Sequence, residues 1–461
     1  MKRTYISDTK DLVGKEVELY GWVATRRDHG KLIFIDLRDR TGIVQVVFTP
    51  SNNDYDKASE LRSEWVVKIT GTIKTRPEKM VNPDIETGKV ELEPTALEIL
   101  NKAQTPPFPL DTDGYEIGEE TRMKYRYLDL RRQRLAKNLR VRHKTGLFIR
   151  NWLAENDFVE VETPILTKST PEGARDYVVP SRLYNGKFYA LPQSPQQYKQ
   201  LLMVGGLEKY FQLARCFRDE DTRGDRQPEF TQLDLEMSFV DREDVMELNE
   251  KLLIDLVRNI FPEKKIQEIP FPHLSYKEAM EKYGTDRPDL RSDKNDPNLL
   301  AFCWVVDFPF FEKTDEGWTF THNPFSAPKP EHVDDLMNKK NIGEILTTQY
   351  DVVVNGWEIG GGSIRNHKPE ALQAVFEIMG FEKERIRSNF GHMLEALGFG
   401  APPHGGIAWG FDRLMAILSN EPNIREVIPF PKTGDARDLM MESPSELESK
   451  QLKELHIKIE K

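Results

Sequence analysis

Cysteine is almost absent from this sequence of 461 residues. Only Cys216 and Cys303 occur, too few for a disulfide framework and without metal-ligand spacing. No apolar run approaches the ~18 residues that a membrane-spanning helix needs, and mean hydropathy is −0.59. Met1-Lys2-Arg3-Thr4 leads directly into mixed polar sequence, so no secretory signal and a cytoplasmic location are expected. Neither G-x-G-x-x-G nor a Walker-type glycine loop is found, which argues against a Rossmann or P-loop site. Positive charge is not in excess either. The 65 Lys and Arg face 76 Asp and Glu, a net charge of −11, and such a balance ordinarily argues against a polyanionic partner. Internal repeats and low-complexity tracts are also lacking.

What is present points to several packed cores. The length predicts about two to four domains, and 24 Phe, 14 Tyr and 7 Trp are spread along the chain. Charge is unevenly distributed. Between Thr121 and Arg150 eleven basic residues stand against a single acid, Asp129, while Asp241 to Asp255 is rich in Asp and Glu. Each run reads as a solvated face when taken alone, but the basic one keeps nucleic acid open as a partner.

Residues 1–104 read as five short strands: Val17–Thr25, Lys31–Leu37, Ile43–Phe48, Trp65–Ile73 and Val90–Leu100, bounded by turn residues. That pattern predicts a small closed barrel of the OB type, which binds single-stranded nucleic acid with aromatics beside a basic groove. Alternation puts Ile33, Ile35 and Leu37 on the core face and Phe34 outward, near Arg26, Arg27 and Lys31. The competing assignment buries Phe34. Thr105-Pro106-Pro107-Phe108-Pro109 then breaks any helix or strand, so residues 105–134 are expected as a hinge and 135–461 as a second domain. That domain opens with a helix from Leu135 to Glu155. Strands follow at Phe188–Leu191, Lys209–Phe217, Phe230–Phe239, Phe302–Phe308 and Tyr350–Ile359.

Two constellations carry chemistry. In Cys216–Asp234, arginines and carboxylates interleave between two apolar strands, and Arg forks match phosphate oxygens. Near the C-terminus, Gly405-Gly406-Ile407-Ala408-Trp409-Gly410-Phe411-Asp412-Arg413-Leu414 allows close backbone approach and then presents Arg413 in the first turn of a helix.

Taken together, these segments resemble the class II aminoacyl-tRNA synthetases, most closely the bacterial aspartyl type. FVEVETPILTKSTPEGARDY (158–177) is similar to the family's first motif, FRDEDTRGDRQPEFTQLDLE (217–236) to its second and GIAWGFDRL (406–414) to its third. The resemblance implies an α+β multidomain chain: an N-terminal OB-fold barrel and an antiparallel-sheet catalytic domain with surrounding helices. It implies ATP and Mg²⁺ as reaction partners, L-aspartate and tRNA as substrates, no membrane, and a homodimer formed around Pro164. Arg218 and Arg413 are implied as the catalytic arginines on the ATP phosphates. Asp219, Glu220, Gln227, Phe230, Glu358, Gly410, Phe411 and Asp412 are implied around the nucleotide. Asp351 and Glu358, read as lying on one strand, are implied as the Mg²⁺ ligands. Glu172, Gln196, Lys199, Asp234, His322 and Arg365 are implied around aspartate, with Gln196 and Asp234 at its ammonium and Arg365 gripping its side-chain carboxylate bidentately. In the barrel, Arg27, His29, Phe34, Gln45 and Glu91 match anticodon-reading positions.

The sequence departs from the family in two places. Asn323 stands beside His322 where a second histidine is typical. The bulky domain that bacterial relatives carry between the second and third motifs is replaced by a short polar loop near 291–298. A sister synthetase for asparagine or lysine and a non-catalytic RNA-binding paralogue remain as alternatives. Lys199 and Arg365 argue against the first, and the retained Arg218, Asp351, Glu358 and Arg413 argue against the second.

Overall fold

The computed structural model describes residues 3–169, 173–315 and 317–460. The chain divides into two compact units, Met1–Lys137 and Asn138–Lys461. The first contains a closed barrel of β1 (Glu16–His29), β2 (Leu32–Asp39), β3 (Gly42–Phe48), β4 (Val66–Thr75) and β5 (Val90–Asn101), in the order β1-β2-β3-β5-β4. Each strand alternates as a half-buried strand must. Val17, Leu19, Ile33, Ile35, Leu37, Val44, Val46, Ile69 and Leu92 fill the interior. Phe34 is only half-buried on the opposite face, between Arg27 of β1 and Val47 of β3.

Residues 105–134 are tied down by ionic contacts. Asp129 is fully buried and accepts from Arg122 Nε (3.0 Å), Arg126 Nη1 (2.8 Å) and Arg132 Nε (2.7 Å). Arg132 also donates to the carbonyls of Pro109 and Thr112, and its guanidinium lies 5.4 Å from the Phe108 ring centre. Arg131 joins Arg38 on the buried carboxylate of Glu64. Much of the basic run is therefore internal structure rather than a solvated face. Burial pushes the Asp129 pKa up, but the arginines outweigh it and hold the carboxyl below its usual range.

Most of α1 (Gln133–Glu155) belongs to the second unit, which is built on an eight-stranded sheet. Its strands are β6 (Val159–Glu160), β7 (Lys209–Phe217), β8 (Glu229–Ser238), β9 (His273–Ser275), β10 (Phe302–Val306), β11 (Tyr350–Val354), β12 (Trp357–Ile364) and β13 (His404–Gly410). They run in the order β9-β10-β11-β12-β13-β8-β7-β6. The six central strands are antiparallel, and each edge strand is parallel to its neighbour. Leu233, Leu235, Trp304, Val352, Ile407 and Trp409 belong to its main core. Helices α2 (Gln196–Val204) and α4 (Phe411–Leu418) contribute residues to the site described below, and α3 (Arg242–Ile260) packs its apolar face into the main core. The acidic run 241–255 begins as an N-terminal cap of α3. Asp241 accepts from the Asp244 N–H and Asp244 from the Asp241 N–H.

One strand reading is corrected. Residues 350–359 are not one strand but a hairpin, β11 and β12, turned at Asn355-Gly356 with φ of 52° and 85°. Asp351 and Glu358 thus lie on neighbouring strands. No described helix is long and apolar enough to cross a membrane.

Replacing Asp129 by Asn removes the buried carboxylate that three buried arginines share. Denaturant unfolding should show a loss of about 3–5 kcal/mol. A loss below about 1 kcal/mol, the level of an exposed pair, would mean that the cluster does not hold this segment.

Candidate active site

The sheet of the second unit floors a cavity of about 330 Å³. Strand β8 supplies one wall. Its alternation puts Leu233, Leu235 and Met237 on one face and Gln232, Asp234 and Glu236 on the other. Lys199 of α2 reaches across to this polar face, with Nζ 2.6 Å from Asp234 Oδ1 and 3.2 Å from Glu236 Oε2. Arg365, just beyond β12, gives Nε (2.8 Å) and Nη2 (3.0 Å) to the two oxygens of Glu236. Its Nη2 also reaches Gly406 O, and Nη1 donates to Ser363 Oγ. All four charged side chains are at most 2% exposed.

This set forces a revision of the carboxylate clamp. A guanidinium has five N–H groups. Four of Arg365's are committed within the protein, so in this arrangement a single one is left for a ligand. One N–H remains on Arg365 and one on Lys199, whose other two face Asp234 and Glu236. Burial raises Glu236's pKa, yet Arg365 and Lys199 more than offset this and hold it at about 2. Asp234 differs: burial dominates and raises its pKa despite Lys199. Its Oδ2 has no hydrogen-bond partner among the described residues.

At the other end of the cavity, Arg218 follows β7 with its guanidinium 5.1 Å from the Phe230 ring centre, and its buried Nε has no partner. An unsatisfied guanidinium donor in a cavity suits an anion. Arg413, in the first turn of α4, donates through Nη1 to the Glu358 carbonyl (3.1 Å) and through Nε to the Asp225 carbonyl (3.3 Å). Glu220 pairs with Arg226. Gln227 exchanges two hydrogen bonds with the Lys432 backbone, which fixes that wall. Gly410 lines the cavity beside Arg413.

Asp351 and Glu358 approach each other over Gly361. A Cβ there would lie 2.7 Å from Asp351 Oδ1 and 3.7 Å from Glu358 Oε1. Burial first and Glu358 second raise the Asp351 pKa well above the carboxylate range. Two carboxylates so crowded suit a divalent cation. No group of three His, Cys, Asp or Glu side chains is placed to hold a metal among the described residues, so such a cation would need oxygens from a ligand or water.

The remaining expected residues divide. Gln196 lines the cavity, as does His322, which meets solvent at the rim with its ring edge-on to Phe308 (4.7 Å). Asn323 is occupied in a turn, accepting from the Phe325 N–H. Asp412 also reaches the cavity, but its carboxylate holds the Thr231 N–H and Arg142. Phe411 does not line the cavity; its ring is in the core under Arg142. Asp219 is away from it too, paired with Arg175. Glu172 lies outside the described residues. In the barrel, Gln45 Nε2 donates to Glu91 (3.1 Å), Arg27 pairs with Asp36, and His29 is exposed at the end of β1. Arg76, which donates to Gln45 Oε1, joins that group without having been anticipated. Glu236 was missed as well, although its two-residue step from Asp234 was the available signal.

A cavity in which arginines and carboxylates interleave on a largely antiparallel sheet, in a chain that also carries a closed five-stranded barrel, suits an enzyme that handles phosphate-bearing substrates and nucleic acid. Residues 118–434 match the family of class II tRNA synthetases (D, K and N), and residues 17–100 match the OB-fold nucleic acid binding domain. The chain belongs to the class II tRNA synthetases. It is 41% identical to a Desulfatibacillum aliphaticivorans protein named aspartate–tRNA(Asp/Asn) ligase, over 100% of this chain and 98% of that one. It is 40% identical to a Macrococcus caseolyticus protein named aspartate–tRNA ligase, over 98% and 97%. The first alignment spans 591 positions against 461 residues here, so at least 130 (591 less 461) have no counterpart in this chain. Among solved structures, asparaginyl-tRNA synthetase from Pyrococcus horikoshii complexed with asparaginyl-adenylate has the same fold, with a TM-score of 0.75 at 24% identity over 94% of this chain and 98% of that one.

Replacing Glu236 by Gln should cost about 3–5 kcal/mol in denaturant unfolding, because two buried cations lose a shared counter-charge. Arg150→Ala, which breaks an exposed pair with Glu160, should cost about 1 kcal/mol or less. The Glu236 contribution is present above the ordinary Glu pKa of about 4.3 and is lost only as pH falls through about 2. Equal losses for the two variants would refute the cluster.

Proposed function

We propose that the chain is an aspartate–tRNA ligase. It activates L-aspartate with ATP and transfers the aspartyl group to the 3′ end of the aspartate tRNA. The observation that carries this reading is the pair of spare N–H groups, one on Lys199 and one on Arg365, buried on one cavity wall. A side-chain carboxylate offers two acceptor oxygens to two cationic donors. An asparagine amide would set its NH₂ against one of them, and a lysine ammonium would meet like charge.

In the first step the aspartate α-carboxylate, already ionised at pH 7, attacks the α-phosphorus in line and pyrophosphate leaves. No general base is required. Arg218 meets the α-phosphate and Arg413 the γ-phosphate, while Phe230 stacks on adenine beside Glu220 and Gln227. Asp351 and Glu358 would hold Mg²⁺, which when bound supplies positive charge to the phosphates. Gln196 and Asp234 face the substrate ammonium, with His322 at the rim, and the family resemblance assigns Glu172 to the same substrate. In the second step a terminal hydroxyl of the tRNA attacks the mixed anhydride and AMP leaves. Arg27, His29, Phe34, Gln45 and Glu91 read the anticodon on the barrel's outer face. The enzyme works in the cytoplasm as a homodimer joined around Pro164, where Ile165 and Leu166 are exposed.

The reading is tested by charging purified aspartate and asparagine tRNAs side by side with labelled aspartate and ATP. The aspartate tRNA should be charged, and the asparagine tRNA shows whether the range extends to it. Charging of neither refutes the assignment.

Phe34→Ala should weaken tRNA charging roughly tenfold, the loss of about 1–3 kcal/mol of base stacking. Pyrophosphate exchange without tRNA should stay near wild type. An equal fall in both activities would make Phe34 a structural residue.

Asp351→Asn should abolish exchange while stabilising the ligand-free protein at pH 7 in denaturant unfolding. The sign follows from the raised pKa: above the unfolded value, the ionised carboxylate costs the folded state free energy, and a neutral amide does not. A destabilised variant would contradict this.

A further inference from the structure

A chain of buried hydrogen bonds ends on the cavity wall. His404, at the start of β13, is fully buried, and its Nδ1 lies 2.7 Å from the Pro402 carbonyl. A carbonyl only accepts, so Nδ1 carries the proton and Nε2 of the neutral ring accepts. The fully buried Gln200 of α2 places its Nε2 3.2 Å from that acceptor. Gln200 Oε1 is then left to receive the Gln196 Nε2 N–H at 3.0 Å. Each link fixes the polarity of the next. Gln196 has committed its amide nitrogen, and no donor among the described residues reaches its Oε1.

We propose that neutral His404 is a positioning residue which, through Gln200, fixes Gln196 with its oxygen toward the cavity and so selects a ligand bearing an amino group. This rests on the reading above, in which Gln196 meets the substrate ammonium. A doubly protonated ring would reverse the relay. Gln200 would turn its oxygen to His404 and its NH₂ to Gln196, which would turn its own NH₂ toward the ligand. The groups facing the ring favour the neutral form. Burial is the largest influence and lowers its pKa, Arg365 and His367 act the same way, and Glu236 and the hydrogen bond to the Pro402 carbonyl oppose them.

The test compares binding of L-aspartate with that of succinate, which keeps both carboxylates but lacks the amino group, by calorimetry on the full chain. Wild type should prefer aspartate. Gln200→Met is near-isosteric and breaks both relay bonds. It should lower aspartate affinity at least about tenfold, as expected for a lost bond to a charged group, and leave succinate affinity unchanged. His404→Asn can keep the bond to the Pro402 carbonyl but removes the acceptor for Gln200, and should act in the same direction. Either variant decides the matter if the other fails to fold. Equal losses for both ligands, or no loss for aspartate, would overturn the relay. Wild type that binds no aspartate would instead overturn the reading of the cavity.

Discussion

The contact between Glu236 and Arg365 is the constraint on which the cavity depends. Two charges at the floor of a sheet are costly to desolvate, and they persist because both carboxylate oxygens and four of the five guanidinium hydrogens are satisfied among Glu236, Ser363 and Gly406. Lys199 and Asp234 complete a set of two cations and two anions. The set has no net charge when all four are ionised, and the protein can therefore bury it with no ligand bound. Its residual donors are few and fixed in direction. A site of this kind discriminates by donor geometry rather than by an excess of positive charge.

The same economy governs several basic residues between the barrel and the middle of α1. Arg122, Arg126 and Arg132 are spent on Asp129, Arg131 on Glu64, and Arg142 on Asp412. Lys124, Lys137, Arg140, Lys144 and Arg150 of that run remain exposed, in a chain whose net charge is −11. In the proposed reading, recognition of nucleic acid by the barrel rests on short-range contacts around Phe34, Gln45 and Glu91. Arg76 and Asp36 hold that outer face in place.

Much of the fold was legible because it rests on local alternation. Ile33, Ile35 and Leu37 face inward and Phe34 does not, as period two requires, and the N- and C-terminal limits of most strands follow from their turn residues. The hairpin at Asn355-Gly356 was equally legible in principle. It was hidden because the apolar run Tyr350–Val354 continues across the turn into Trp357 and Ile359, which conceals the break. Asp351 and Glu358 were paired on the strength of family resemblance, and the geometry that brings them together is cross-strand. Glu236 and the arginine cluster on Asp129 were illegible for another reason. Their meaning lies in partners 129 and three to seven residues away, and no local pattern distinguishes a buried counter-ion from a solvated one.

The most direct measurement of the central claim is pyrophosphate exchange without tRNA, run with L-aspartate and L-asparagine at equal concentration on one preparation. If the spare donors of Lys199 and Arg365 read a side-chain carboxylate, the ratio of kcat/KM should favour aspartate by about 10⁴ or more. Comparable exchange with the two amino acids would show that this charge set does not choose the substrate.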